Sequence, residues 1–197
     1  ISQPVPRFED TKLLTGGGDF IDDGNAHGQL YGCVVRSPHA HADIVSIDAS
    51  AALAMPGVVT VYTGADYRDG GWGPIPHIGP PVTRREGADL KLPGFFPLAP
   101  ERVRMVGEGV AFVVAETQAQ ARDAADLVKV IYETLPASAD TVAALDSDTP
   151  VLWEDIGDNE ALVFHLGDRE ATEKAFAAAD HVVEHRFNIN RVLGNAM

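Results

Sequence analysis

The stretch Val103–Tyr132 constrains the fold of this chain more than any other. It reads VRMVGEGVAFVVAETQAQARDAADLVKVIY and changes hydrophobic period twice. Val110–Ala115 is short and almost wholly apolar, which predicts a strand buried on both faces. Thr117 then offers a side-chain oxygen at a helix N-cap, with Gln120 three residues on as its capping-box partner. Ala121, Ala124, Ala125 and Val128 follow at helical spacing and give a narrow apolar face made mainly of alanine. Val128–Tyr132 is β-branched and strand-like again, and Leu135-Pro136 ends it. A helix faced with alanine can lie very close to its sheet, so a layered domain of strands and helices is expected.

The rest of the chain divides around that unit. Residues 1–19 read as irregular, with Pro4, Pro6 and the Gly16-Gly17-Gly18 turn. Gln29–Arg36 and Ala42–Ile47 read as strands, the first ended by Ser37-Pro38. Asp48 or Ser50 can cap a short helix running to Met55, which Pro56-Gly57 stops. Val58–Thr63 is a third strand. Residues 64–101 hold most of the prolines, the adjacent Arg84 and Arg85, and the pair Phe95-Phe96. A loop of this length is usually functional or a contact surface. Residues 133–167 read as a linker with little regular structure, and a domain boundary is expected near residue 140. Asp168 can cap a helix over Arg169–Ala178. His181–Asn190 alternates as a strand, with Val183, His185, Phe187 and Ile189 on one face. Because the chain starts at Ile1, and that last strand runs on without a stop signal, the expected reading is a piece of a longer polypeptide.

Charge and cysteine usage narrow the function classes. The 15 Lys+Arg against 29 Asp+Glu give a formal net charge of −14, spread along the chain. Nucleic acid and anionic membranes both require clustered cations, so neither is an expected partner. The lone Cys33 leaves no internal disulfide and no cysteine-based zinc or iron–sulfur site. A reducing, cytoplasmic compartment follows as the expectation. No apolar run approaches the roughly 20 residues of a membrane span.

Few residues suggest chemistry. His39, His41 and Asp43 share one face if extended, a spacing that can contribute to a zinc site. With Pro38 before them, they equally suit the start of a strand whose imidazoles cap backbone carbonyls. Gly16-Gly17-Gly18 lacks the Lys and Ser/Thr of a phosphate loop and reads as a turn needing positive φ. Glu108, between Gly107 and Gly109, is either an acid–base carboxylate or an exposed residue in a bulge or tight turn. Cys33 reads as a core thiol. His165, His181 and His185 are scattered, His185 packing along its strand. The residues by themselves lead to a domain of strands and helices with a long loop, and to no reaction.

Several phrases, in order, resemble the N-terminal part of the large subunit of molybdenum hydroxylases, the xanthine dehydrogenase, aldehyde oxidase and aerobic carbon monoxide dehydrogenase family. They are RFEDTKLLTGGGDFIDD, VVRSPHAHADIVSIDASAALAMPGVVTVYTGAD, LAPERVRMVGEGVAFVVAETQAQARDAADLVKVIYETLPA and, more weakly, GDREATEKAFAAADHVVEHRFNINR. Together they cover most of the chain, with residues 64–101 least alike, and the spelling is similar to the bacterial, separate-subunit branch. The resemblance implies an α+β (α/β) hammerhead domain of mixed sheet with packed helices over residues 20–135. It implies an extension over 1–19 and, in 136–197, a linker and the start of a molybdopterin-binding domain. For the full subunit it implies a molybdenum–molybdopterin cofactor in the cytosine dinucleotide form. The implied partners are an FAD-binding medium subunit and a small subunit with two 2Fe-2S clusters. The implied reaction hydroxylates an aldehyde, an N-heterocycle or carbon monoxide with water-derived oxygen. The family's pterin contacts and catalytic glutamate lie beyond Met197. No residue here is therefore expected to be catalytic, cofactor-binding or metal-binding, and the isolated chain is expected to be inert. In this light Pro38–Asp43 and Gly107-Glu108 become structural hallmarks of the hammerhead domain. The competing expectation is a stand-alone hammerhead-like binding or assembly module that uses the 64–101 loop.

Overall fold

Six strands divide between two antiparallel sheets in the computed structural model, which describes residues 5–76, 90, 92–160 and 162–187. One sheet has the order β1-β5-β3, from Tyr31–Arg36, Gly109–Ala115 and Val58–Thr63. The other has the order β4-β2-β6, from Arg102–Val103, Ala42–Asp48 and Lys129–Thr134. All described strand pairs are antiparallel. The Val103–Tyr132 stretch therefore does not return to its own sheet. Its strands β5 and β6 belong to different sheets, and the helix between them, α4 (Gln118–Ala125), packs on the first of these.

The alanine face works as its spacing requires. Ala121 and Ala124 are fully buried, and α4 lies across β1 and β5. Ala124 joins Ala111, Val113, Val128 and Ala52 of the short helix α2 (Ser50–Leu53) in one core cluster. A second cluster, Ala42, Ala99, Val103 and Val110, lies between the sheets, and Val35, Ile47 and Val130 touch both clusters. On β5 the residues facing α4 are fully buried, whereas Phe112 and Val114 on the other face are half-buried. Burial is thus complete on one face only. Thr117 Oγ1 accepts from Gln120 N at 3.2 Å, as a cap should. Gln120 Oε1 accepts in return from the Thr117 hydroxyl at 2.8 Å rather than from its backbone N–H, so the capping box is closed through side chains. Gln120 Nε2 donates to Pro56 O at 3.2 Å and pins the positive-φ turn at Gly57 beneath the helix.

Three other expectations are corrected. Residues 1–19 include a helix, α1 (Asp10–Leu14), and Gly16 at φ 72° closes its C-terminal end. The glycine run thus sits among carbonyls, the wrong polarity for an anion. The 64–101 loop opens with α3 (Gly64–Asp69), whose Thr63 and Asp66 form a reciprocal capping box. Beyond it, Ile75 N donates to Phe95 O at 2.8 Å and joins the two arms of the loop. Arg84 and Arg85 lie outside the described residues. At the far end Asp168 Oδ1 accepts from Ala171 N at 2.9 Å and caps α5 (Arg169–Ala177). The strand expected over His181–Asn190 is not formed by residues 181–187, and 188–190 lie outside the described residues. Alternation supplies a face, but a strand also needs a hydrogen-bonding neighbour, and the described residues offer these positions none.

Gly64 packs so tightly that a Cβ there would overlap the Ala99 backbone, whereas a Cβ at Gly32 would meet only the Phe112 ring, which can turn aside. Gly64→Ala should destabilise the domain by about 1–3 kcal/mol, and Gly32→Ala by less. Urea midpoints of the two variants check the order, and equal losses would contradict this account.

Candidate functional site

Three parts of the chain, SPHAHAD at 37–43, RVRMVGEG at 102–109 and part of the 133–167 linker, meet at one corner of the domain. Ser37 starts it. Its N–H donates to Glu108 O and its carbonyl accepts from Gly107 N, both at 2.8 Å, while its Oγ accepts from His39 N at 3.0 Å. Gly107 takes φ 87°, a turn that favours glycine. Arg36 Nη1 donates to Gly107 O at 2.7 Å across the same turn.

Two of the three candidate ligands, His41 and Asp43, have polar partners of their own. His41 is buried, and its Nδ1–H donates to Pro136 O at 2.8 Å. A carbonyl can only accept, so the Nδ1 of His41 carries a proton in this contact. His41 Nε2 is buried without a hydrogen-bond partner among the described residues. The imidazole thus caps a backbone carbonyl, one of the two readings its sequence allowed. Leu135 N donates in turn to His41 O at 3.0 Å, so the end of β6 is held from both sides. His39 packs edge-on against the Tyr132 ring at 4.9 Å. Burial raises the Tyr132 hydroxyl pKa.

Asp43 forms a two-point ion pair with Arg102, Nε to Oδ1 and Nη2 to Oδ2, the latter at 3.1 Å. That bonding is the main cause of an Asp43 pKa below the usual carboxylate value. Arg102 Nη1 also reaches Glu154 Oε1 at 2.9 Å. These two carboxylates, Asp43 first, raise the Arg102 pKa still further above its ordinary value. Arg104 is sheltered. Its Nε donates to Leu152 O at 2.8 Å and its guanidinium stacks 3.8 Å from the Trp153 ring centroid. Burial is the main cause of a lowered Arg104 pKa.

Glu108 corrects the exposed-turn expectation, being only 8% exposed. Its Oε2 accepts from Arg104 N at 2.6 Å, so it serves the backbone that carries the arginine. Sequence reasoning missed Arg102, Arg104, Trp153 and Glu154. The signal available was the i, i+2 arginine spacing, which puts both side chains on one side of an extended segment. Cys33 is half-buried on β1. His165, His181 and His185 remain exposed, His185 with its ring 4.6 Å from that of Phe187. Chemically, the corner neutralises and orients charges where the chain leaves β6.

Comparisons with known proteins agree with this architecture. The sequence model for the aldehyde oxidase and xanthine dehydrogenase a/b hammerhead domain matches residues 15–136. The carbon monoxide dehydrogenase large chain of Afipia carboxidovorans is 37% identical, over 94% of this chain and 23% of its own length. The nicotine 6-hydroxylase large subunit of Paenarthrobacter nicotinovorans is 40% identical, over 100% of this chain and 23% of its own. A crystal structure of a Cu,Mo-CO dehydrogenase superposes with a TM-score of 0.68 at 37% identity, covering 90% of this chain and 22% of that one. The chain thus spans about a quarter of the length of the relatives it matches.

Asp43 has a folded pKa below its unfolded value. Its contribution to stability is therefore complete above the unfolded pKa of about 3.9 and is lost as pH falls through the folded pKa. Asp43→Asn should lower stability at pH 7 by about 1 kcal/mol, a modest value for a partly exposed pair. The deficit should shrink towards pH 3. Urea titrations at the two pH values measure it, and a deficit that is the same at both would refute the ion-pair account.

Proposed function

The chain belongs to the aldehyde oxidase and xanthine dehydrogenase family, and from that membership we propose that it is the N-terminal structural part of a molybdenum hydroxylase large subunit. The observation that carries this reading is full-length similarity to large subunits of which the chain spans under a quarter. In the proposed whole, residues 1–19 are an extension, 20–135 the hammerhead domain, and 136–197 a linker and the start of a molybdopterin-binding domain. The whole subunit carries molybdenum on a molybdopterin, in the cytosine dinucleotide form. An FAD-binding subunit and a 2Fe-2S subunit take the electrons onward. The substrate is an aldehyde, an N-heterocycle or carbon monoxide, oxidised with oxygen from water.

The side chains that the sequence offers as ligands are engaged within the domain. His41 is bound to Pro136, Asp43 to Arg102 and Glu108 to the Arg104 backbone. Among the described residues no cluster of His, Cys, Asp and Glu could hold a metal ion. No chemical step is assigned to them, and the proposed role of this part is to shape and join. No helix among the described residues is long and apolar enough to cross a membrane. The lone Cys33 goes with a reducing, cytoplasmic setting.

A second reading, a stand-alone binding or assembly module, is favoured by one observation. Val34, Phe112 and Tyr62 form a row across the β1-β5-β3 sheet, and Tyr67, Trp72, Pro97 and Leu98 wall it into an apolar groove of about 510 Å³.

Metal analysis and activity assays separate the two. The intact polypeptide, produced with its partner subunits, should hold close to one molybdenum per chain and oxidise a member of the named substrate classes. Residues 1–197 alone should do neither. Stoichiometric molybdenum on residues 1–197, or none on the intact polypeptide, would defeat the enzyme reading.

A further inference from the structure

The segment after β6 behaves as a unit of its own. Asp140 Oδ1 accepts from Val142 N at 2.7 Å and starts a short 3-10 turn at Ala143–Leu145. Thr149 Oγ1 donates back to Ala143 O. Asn159 then staples three points of the loop. Its Nδ2 donates to Ala144 O and Pro150 O, each at 3.0 Å, and its Oδ1 accepts from Leu152 N at 3.1 Å. Ile156 N and Gly157 N both donate to Trp153 O, at 2.9 and 3.2 Å. The linker, expected to have little regular structure, is a loop closed on itself, the form of compact surface loops whose own side chains pack them.

This loop takes no part in the two core clusters, neither of which includes a residue beyond Tyr132. Side chains of two residues at β4 hold it to the sheets. Arg102 reaches Glu154, whose side chain is 76% exposed, and Arg104 reaches the Leu152 carbonyl and the Trp153 ring. A unit with strong internal hydrogen bonds and no share of the apolar core opens at lower free energy than the body it rests on.

We propose that residues 140–160 form a latched strap that opens as one cooperative unit while the hammerhead body stays folded, with Arg102 and Arg104 as the latch. The latch state sets whether the chain beyond Glu160 is held to the β4-β2-β6 sheet or moves independently of it. The two arms differ in kind. The Arg102–Glu154 arm faces water and weakens with salt. The Arg104 arm is sheltered and combines a hydrogen bond with a cation–π stack, so it persists. Asp43 and Glu108 act as positioning residues, the first aiming the Arg102 guanidinium and the second holding the Arg104 backbone.

Amide hydrogen exchange on the intact polypeptide tests the latch. Arg104→Ala should accelerate exchange at Leu152, Ile156 and Gly157 by about tenfold, while β5 amides keep their protection. Arg102→Ala should give a smaller acceleration, which high salt reproduces in the unaltered protein. Should Arg104→Ala not fold, Trp153→Ala and Glu154→Gln loosen the same contacts from the strap side and leave the body untouched. Their expected signature is again faster strap exchange beside an unchanged β5. Unchanged strap exchange in every variant would overturn the proposal. Strap and β5 amides accelerating together would also overturn it, since the strap would then open only with the whole domain.

Discussion

The domain depends on how closely α4 can approach β5. Ala124 on the helix packs with Ala111 and Val113 on the strand, and Ala121 and Ala115 beside them are fully buried as well. Side chains this small let the helix backbone sit low over the sheet, within reach of β1 as well as β5. Among the described residues the largest fully buried side chains are the valines 103, 110 and 113. Close packing of small groups leaves little room for growth, because an added methylene forces backbone or rotamer shifts in such a core. The same closeness explains the turn at Gly57, where Gln120 occupies the space a side chain would need.

A second constraint is electrostatic and lies at the edge of the core. Three adjoining regions of the chain bring two arginines, three carboxylates and a buried histidine to the corner where β6 ends. Each has a partner within the corner. Asp43 and Glu154 share Arg102, Glu108 holds the backbone of Arg104, and His41 holds Pro136. Buried and half-buried charges persist only when paired and hydrogen-bonded. A histidine–carboxylate spacing that resembles a ligand set is here the signature of a joint between two parts of a chain.

Much of this was readable from local pattern. The strands at 31–36, 42–48, 58–63, 109–115 and 129–134 fall within two residues of where alternation and β-branching place them. The caps at Thr117 and Asp168 act as their residue types predict. The helix α3 escaped notice although Thr63 and Asp66 have capping-box spacing, because the proline- and glycine-rich run after it dominates the composition. The terminal strand failed for the opposite reason. Its alternation is strong, but alternation describes one face, and a ladder needs a neighbour.

The sequence alone determined the local elements, the alanine face, the excess of negative charge and the family to which these phrases belong. Each depends on residues close together in the chain or on composition. Tertiary structure alone decided that β5 and β6 lie in different sheets and that His41 would find the carbonyl of Pro136. It also decided that Arg102 and Arg104 would grip a loop some fifty residues away. Those pairings join distant residues whose local sequence is compatible with many partners, and only the closed backbone selects among them.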